Sequence, residues 1–213
     1  MSEFCPPPDP ENNHPSDCQV LEGYRARSRE KARHKDSPEQ RILYGKAEPV
    51  RLLLLDVDGV LTDGSLVYSE SGVEAKAFNT QDGLGIRLVQ KAGLDVGIIT
   101  ARHSELVRRR AEELDMKYIS QGIGKKLDSY KEIVRQADLK PHQVCYMGDD
   151  WIDLALLTRV GLAACPANSV VEVQDACHFI SSRPGGHGAV REVCDLIIRA
   201  KGVYRNLLQQ FMD

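Results

Sequence analysis

Apolar and polar positions follow two rhythms along this chain. Leu52-Leu53-Leu54-Leu55 is a short unbroken apolar run, as a strand buried on both faces requires. Similar runs follow at 94–99, 117–120, 144–147 and 161–164, with a shorter one at 178–180. Between them the spacing lengthens to that of a helix. Leu84, Leu88 and Val89 form one apolar stripe; Leu106, Val107 and Leu114 mark a second helix and Leu127, Tyr130, Ile133 and Val134 a third. Residues 152–157 predict a short helix, and Val190, Val193, Cys194, Ile197 and Ile198 share one face of a last one. Strand and helix alternate throughout, which predicts an α/β fold with a mainly parallel sheet and helices on both faces. Right-handed crossovers then gather the C-terminal strand ends along one edge, where such sheets bind ligands.

One stretch breaks the alternation. Leu66-Val67-Tyr68, a turn at Glu70-Ser71-Gly72, and Val73 to Phe78 predict a β-hairpin after the first strand. Upstream, residues 1–45 read as an N-terminal extension, punctuated by Pro6-Pro7-Pro8 and Asn12-Asn13, with no apolar stripe between Arg25 and Lys35. The folded domain is expected over 46–213.

Composition narrows the classes. A net charge of −3 gives no basic excess for nucleic acid, and no apolar run is long enough to span a bilayer. Residues 1–17 contain no apolar core of a secretory signal. The six cysteines form no C-x-x-C pair and no cluster with zinc-ligand spacing, so reduced thiols in a cytoplasmic protein are expected.

The candidate chemistry lies at the strand ends. Asp56 and Asp58 follow the first strand two residues apart, and adjacent carboxylates call for a hard cation between them. Gly59 lets the backbone turn tightly there. Taken alone, Asp-Gly is also an ordinary turn. Thr100 ends the next strand, where a hydroxyl and backbone amides can bind phosphate oxygens or simply cap a helix. Lys126 opens a helix, as do Asp149, Asp150 and Asp153 in Gly148-Asp149-Asp150-Trp151-Ile152-Asp153. A helix starting at that point puts Asp149 and Asp153 on one face. Acids in a first turn also favour the helix dipole without further purpose. All four elements fall at C-terminal ends of buried strands, and hence in one cleft.

The runs D-V-D-G-V-L-T at 56–62, G-I-I-T-A-R at 97–102, Q-G-I-G-K-K-L at 121–127 and Y-M-G-D-D-W-I-D at 146–153 resemble the motifs of the haloacid dehalogenase superfamily of phosphohydrolases. With E-A-K-A-F-N-T-Q-D-G and G-G-H-G-A-V-R-E, the resemblance extends over residues 46–202 and points to its sugar-acid phosphate phosphatases. It implies a Rossmann-like, capless fold, since no cap domain fits between the motifs. Hydrolysis of the 8-phosphate of an eight-carbon sugar acid, within lipopolysaccharide precursor synthesis, is the expected activity. A nine-carbon acid 9-phosphate and a non-catalytic tetramerisation domain are the alternatives.

The same resemblance implies the roles. Asp56 is the nucleophile and Asp58 the general acid–base. Magnesium is held by the Asp56 carboxylate, the Asp58 carbonyl and Asp149. Thr100 and Lys126 hold the transferring phosphoryl oxygens, and Asp150 and Asp153 orient the lysine and the metal's waters. The hairpin, 65–78, is implied to assemble a homotetramer that closes the cleft. Substrate contacts are expected from Asn79, Asp82, Arg102 and His187; Arg102 suits a sugar-acid carboxylate. His187, in a glycine-rich loop expected to be flexible and near the fold's edge, stands where the family carries arginine.

Overall fold

The computed structural model describes residues 37–68, 70 and 74–212, together with Gly23. Residues 25–35 of the expected extension, Cys5, Cys18, and Ser71, Gly72 and Val73 of the hairpin turn lie outside the described residues. The chain divides into two units, 1–42 and 43–213. In the first, Gly23 is helical, and α1 (Pro38–Ala47) begins at Pro38.

The second unit is built on six strands: β1 (Leu52–Leu55), β4 (Asp95–Ile99), β5 (Tyr118–Ser120), β6 (Val144–Met147), β7 (Leu162–Cys165) and β8 (Phe179–Ile180). They form one parallel sheet in the order β5-β4-β1-β6-β7-β8. The apolar runs locate all six to within a residue or so. β1 is central because its four leucines must be covered from both sides. Leu52 and Leu54 pack into one core with Tyr130, Ile133 and Leu156. Leu53 and Leu55 pack into the other with Ile86, Val107 and Ile197. The first core is covered by α4 (Lys126–Gln136), α5 (Leu154–Leu157) and α6 (Val171–Ala176), the second by α2 (Thr80–Lys91), α3 (Glu105–Glu113), α7 (Ala189–Ala200) and α8 (Tyr204–Gln209). Chain order reverses about β1, first to β4 and β5, then back to β6, so the crevice opens at the C-terminal end of β1.

Three helices, α1, α6 and α8, escape the periodicity, being short or lacking a continuous apolar stripe. The helix expected over 152–157 is a 3₁₀ turn, Trp151–Asp153, followed by α5. Asp149 therefore precedes the helix in a loop, and the expectation that Asp149 and Asp153 share a helix face is corrected. The hairpin is also shorter than expected. Among the described residues only β2 (Val67–Tyr68) and β3 (Glu74–Ala75) pair, and residues 76–79 run on outside the ladder. Cys145, Cys165, Cys177 and Cys194 are free thiols.

Candidate active site

β1 delivers Asp56 to the crevice floor. Its amide donates to the Met147 carbonyl at 2.9 Å, continuing the β1–β6 ladder by one residue and fixing the carboxylate at the strand end. The chain then turns through Gly59, at φ +85°, a conformation that glycine tolerates. A Cβ at Gly59 would lie 2.0 Å from an Asp149 carboxylate oxygen, so only glycine admits Asp149 this close. The loop after β6 supplies that acid, and a Cβ at Gly148 would likewise collide with the Asp153 carboxylate.

Asp56, Asp149 and Asp153 each offer an oxygen within 4.8 Å of the others, the metal-capable acidic group among the described residues. Lys126, from the start of α4, lies against it. Its ammonium is 2.8 Å from Asp56 Oδ1 and 2.7 Å from Asp153 Oδ1, and all three side chains are almost fully buried. Tyr146, on β6, donates its hydroxyl to the same Asp153 oxygen at 2.5 Å. The other Asp153 oxygen accepts from the amides of Asp149 (3.0 Å) and Asp150 (3.3 Å). Asp153 is thus a clamp that holds the lysine on one side and the Asp149 loop on the other.

One lysine does not neutralise three clustered acids. Burial and the neighbouring Asp153 push the Asp56 carboxyl up to about 6, against the opposing pull of Lys126. Burial and Asp56 push Asp149 up to about 7. Carboxylates so placed are short of positive charge, and an all-oxygen set of this kind fits a hard divalent cation.

Asp58 stands apart from this cluster. Its Oδ1 accepts from Lys76, and its Oδ2 lies 3.7 Å from Arg102 Nε. The expectation that a cation sits between the Asp56 and Asp58 carboxylates is therefore corrected: the partner acids of Asp56 are Asp149 and Asp153. Thr100 is buried at the end of β4, where its hydroxyl accepts from the Arg102 amide at 3.4 Å. Asp150 is exposed and its carboxylate accepts from the Trp151 amide, so it caps a turn rather than orienting Lys126. Its charge still contributes to the rise at Asp149.

The expected substrate contacts divide. Arg102 reaches over the crevice, 42% exposed, towards Asp58, Glu74 and the Tyr68 hydroxyl. Asn79 caps α2, its Oδ1 accepting from the amides of Gln81 (2.7 Å) and Asp82 (3.4 Å). Asp82 does not face the crevice. It is buried, and its oxygens accept from the amides of Gly188 (3.3 Å) and Arg191 (2.7 Å). Gly188, the N-cap of α7, has no side chain to satisfy that helix end, so Asp82 caps it from α2.

The glycine-rich loop is not a loose edge element. The Gly186 amide donates to the Val60 carbonyl at 2.9 Å, and Gly185 donates to Asn168 Oδ1 at 2.9 Å. The loop lies directly on the turn that follows Asp58. His187 is exposed there, its Nδ1–H donating to the Gly185 carbonyl at 2.9 Å.

Lys76, Glu74, Tyr68 and Tyr146 were missed by sequence reasoning. A lysine between alanines in an expected hairpin strand looks like a solvated surface residue, and a tyrosine in a buried strand looks like core.

No family model matches the chain. A 3-deoxy-D-manno-octulosonate 8-phosphate phosphatase from Yersinia pestis is 42% identical over 156 residues, 73% of this chain and 83% of the relative. The chain belongs to the 3-deoxy-D-manno-octulosonate 8-phosphate phosphatase family. The phosphatase of this name from Escherichia coli K12 is 39% identical over 78% of this chain and 88% of its own. A member of the family from Moraxella catarrhalis, solved in complex with magnesium, phosphate and a KDO molecule, superposes with a TM-score of 0.78 at 36% identity. It covers 79% of this chain and 97% of its own. The open parallel sheet is that of the haloacid dehalogenase superfamily, of which a Legionella pneumophila hydrolase is a further neighbour, with a TM-score of 0.79 at 36% identity and coverage of 82% of this chain and 96% of its own.

Proposed function

We propose that this protein hydrolyses 3-deoxy-D-manno-octulosonate 8-phosphate to the free sugar acid and phosphate, with residues 46–213 as the phosphatase domain. The observation that carries this reading is Lys126, buried between Asp56 and Asp153 beside Asp149. That is a carboxylate nucleophile with a fixed cation at the point where phosphoryl charge must be held. The names of the relatives supply the substrate.

Asp56 attacks phosphorus and the ester oxygen departs, leaving an aspartyl-phosphate. Asp58 gives its proton to that oxygen, then takes one from the water that releases phosphate. Lys126 and Thr100 hold the phosphoryl oxygens through both steps, and a contact of this kind contributes about 3 kcal/mol to the transition state. Asp153 and Tyr146 keep the lysine aimed at Asp56. Asp56, Asp149 and the Asp58 carbonyl would hold magnesium, which when bound would supply the charge neutralisation that one lysine leaves incomplete. Arg102 is the side chain we assign to the sugar-acid carboxylate.

Phosphate release in magnesium, from the eight-carbon and nine-carbon sugar-acid phosphates and from ordinary hexose phosphates, tests the reading. The eight-carbon substrate is expected to lead by kcat/KM; equal rates across the panel would remove the substrate assignment.

Magnesium is also expected to stabilise the fold. At a hundredfold excess over its Kd it should add about 2.7 kcal/mol, seen as a higher Tm at pH 8. Asp149→Asn should abolish most of that shift. An unchanged Tm in the parent protein would argue against the cation site.

The hairpin is the proposed assembly element, and with it a cytoplasmic homotetramer. Leu66, Val67 and Tyr68 are 45%, 56% and 63% exposed, an apolar strip on a short two-stranded ribbon. Among the described residues no helix is long and apolar enough to cross a membrane. Sedimentation should give a tetramer that Val67→Glu dissociates. A monomeric parent protein would end this part of the proposal.

A further inference from the structure

The acid assigned to proton transfer is the one acid of the motifs held by the hairpin. Asp58, Lys76, Glu74 and Arg102 form a closed ring of alternating charge. Lys76 donates to Asp58 Oδ1 and lies 3.5 Å from Glu74 Oε1. Arg102 lies 3.2 Å from the same Glu74 oxygen and 3.7 Å from Asp58 Oδ2.

The two cations in this ring are not equivalent. The Lys76 side chain is 1% exposed, that of Arg102 42%. A buried ammonium persists only when well paired, and here its two carboxylate partners hold it in place. Arg102 is 42% exposed, touches Asp58 at the longer distance, and makes its shorter contacts, to Glu74 and the Tyr68 hydroxyl, with the exposed end of the guanidinium. The ring therefore fixes one oxygen of Asp58 and leaves the other provisionally covered.

We propose that Lys76 is a positioning residue for the phosphatase reaction: it anchors Asp58 Oδ1, so that Oδ2 alone exchanges protons with the leaving oxygen and the attacking water. Arg102 covers Oδ2 in the resting state; on turning to the substrate's carboxylate it uncovers Oδ2, which takes from water the proton it then gives to the leaving oxygen. A bond from Lys76 gives the carboxylate one orientation rather than several, which is how a supporting contact contributes to a proton transfer without touching substrate. It also ties the acid–base group to the hairpin, whose described strands supply Tyr68 and Glu74 to the same network.

This inference rests on the proposed role of Asp58, and the test separates the two. Lys76→Met and Lys76→Arg are compared with the parent protein in saturating magnesium, after their circular dichroism melts are matched. Lys76→Met is expected to lose about a hundredfold in kcat on the sugar-acid phosphate, the low end for general acid–base catalysis, with KM changed little. Lys76→Arg should recover about tenfold of that loss. With p-nitrophenyl phosphate, whose leaving group needs no proton, Lys76→Met should still release its first equivalent of nitrophenolate per Asp56 in a rapid burst, while later turnovers slow. An unchanged kcat, a loss confined to KM, no recovery with arginine, or loss of the burst together with turnover would each overturn the proposal. If the parent protein ignores the sugar-acid phosphate but turns over p-nitrophenyl phosphate, the substrate assignment fails. Lys76 is then judged on the burst and turnover of the aryl ester alone.

Discussion

Asp56→Asn is expected to lower phosphate release by at least about ten-thousandfold, as loss of a nucleophile does, while leaving the fold as stable or more so. The two effects have different origins. An amide cannot form the acyl phosphate, so turnover stops at its first step. In the metal-free protein, however, the Asp56 charge is a burden. Burial and Asp153 raise its folded pKa to about 6, above the usual carboxylate range. The folded state then binds the proton more tightly than the unfolded chain, so stability falls as pH rises from about 4 through about 6. Above that window the full cost of the ionised group is present; below it the cost is gone. Without magnesium, Asp56→Asn should therefore melt at or above the parent protein at pH 8, with the difference shrinking towards pH 4. Paired phosphate-release assays and thermal melts across that range decide it. A variant that keeps turnover refutes the nucleophile, and one that melts well below the parent at pH 8 refutes the crowding of charge.

Gly185→Ala is expected to destabilise the protein by about 3 kcal/mol, the upper part of the range for overpacking, and to reduce kcat with it. A Cβ at this position would lie 1.8 Å from the Gly59 carbonyl oxygen and 2.5 Å from its carbon. Both are backbone atoms, so no rotamer change makes room. One of the two loops must move, and Gly59 is the residue against which Asp149 rests. Chemical denaturation gives the stability term and the phosphate assay gives the rate. A Gly93→Ala control meets no neighbouring atom but sits at φ +87°, so it reports backbone strain without the collision. Equal losses in the two variants would show that the contact between the loops carries nothing of its own.

What the sequence made legible was the part of the site that local pattern controls. Asp56, Thr100, Lys126 and Asp149 could be placed because each follows an apolar run whose period declares a strand, and parallel strands bring their C-terminal ends together. The structure gathers Asp56, Lys126 and Asp149 around Asp153. What stayed hidden depends on partners distant in the chain. Asp82 looked like a cleft residue because it follows the hairpin, yet its contacts are amides 106 and 109 positions later. The glycine-rich loop looked flexible because glycine is permissive; no periodicity announces that it packs against Gly59. Lys76 had no pattern around it, and the direction of the Asp58 side chain is set by that lysine rather than by strand alternation.

The contact between Gly185 and Gly59 has a bearing on biosynthesis. Domains begin to collapse as they leave the ribosome, N-terminal elements first. Here β1 and the Asp56 turn emerge early, but Val60 accepts its hydrogen bond from Gly186, and Asp82 waits for Gly188 and Arg191. A nascent chain halted before residue 180 would carry every acid of the motifs and Lys126, with the turn behind Asp58 uncovered and an aspartate stranded in an apolar helix face. The turn behind Asp58 and the Asp82 cap are thus completed late in translation, when the glycine-rich loop and α7 dock.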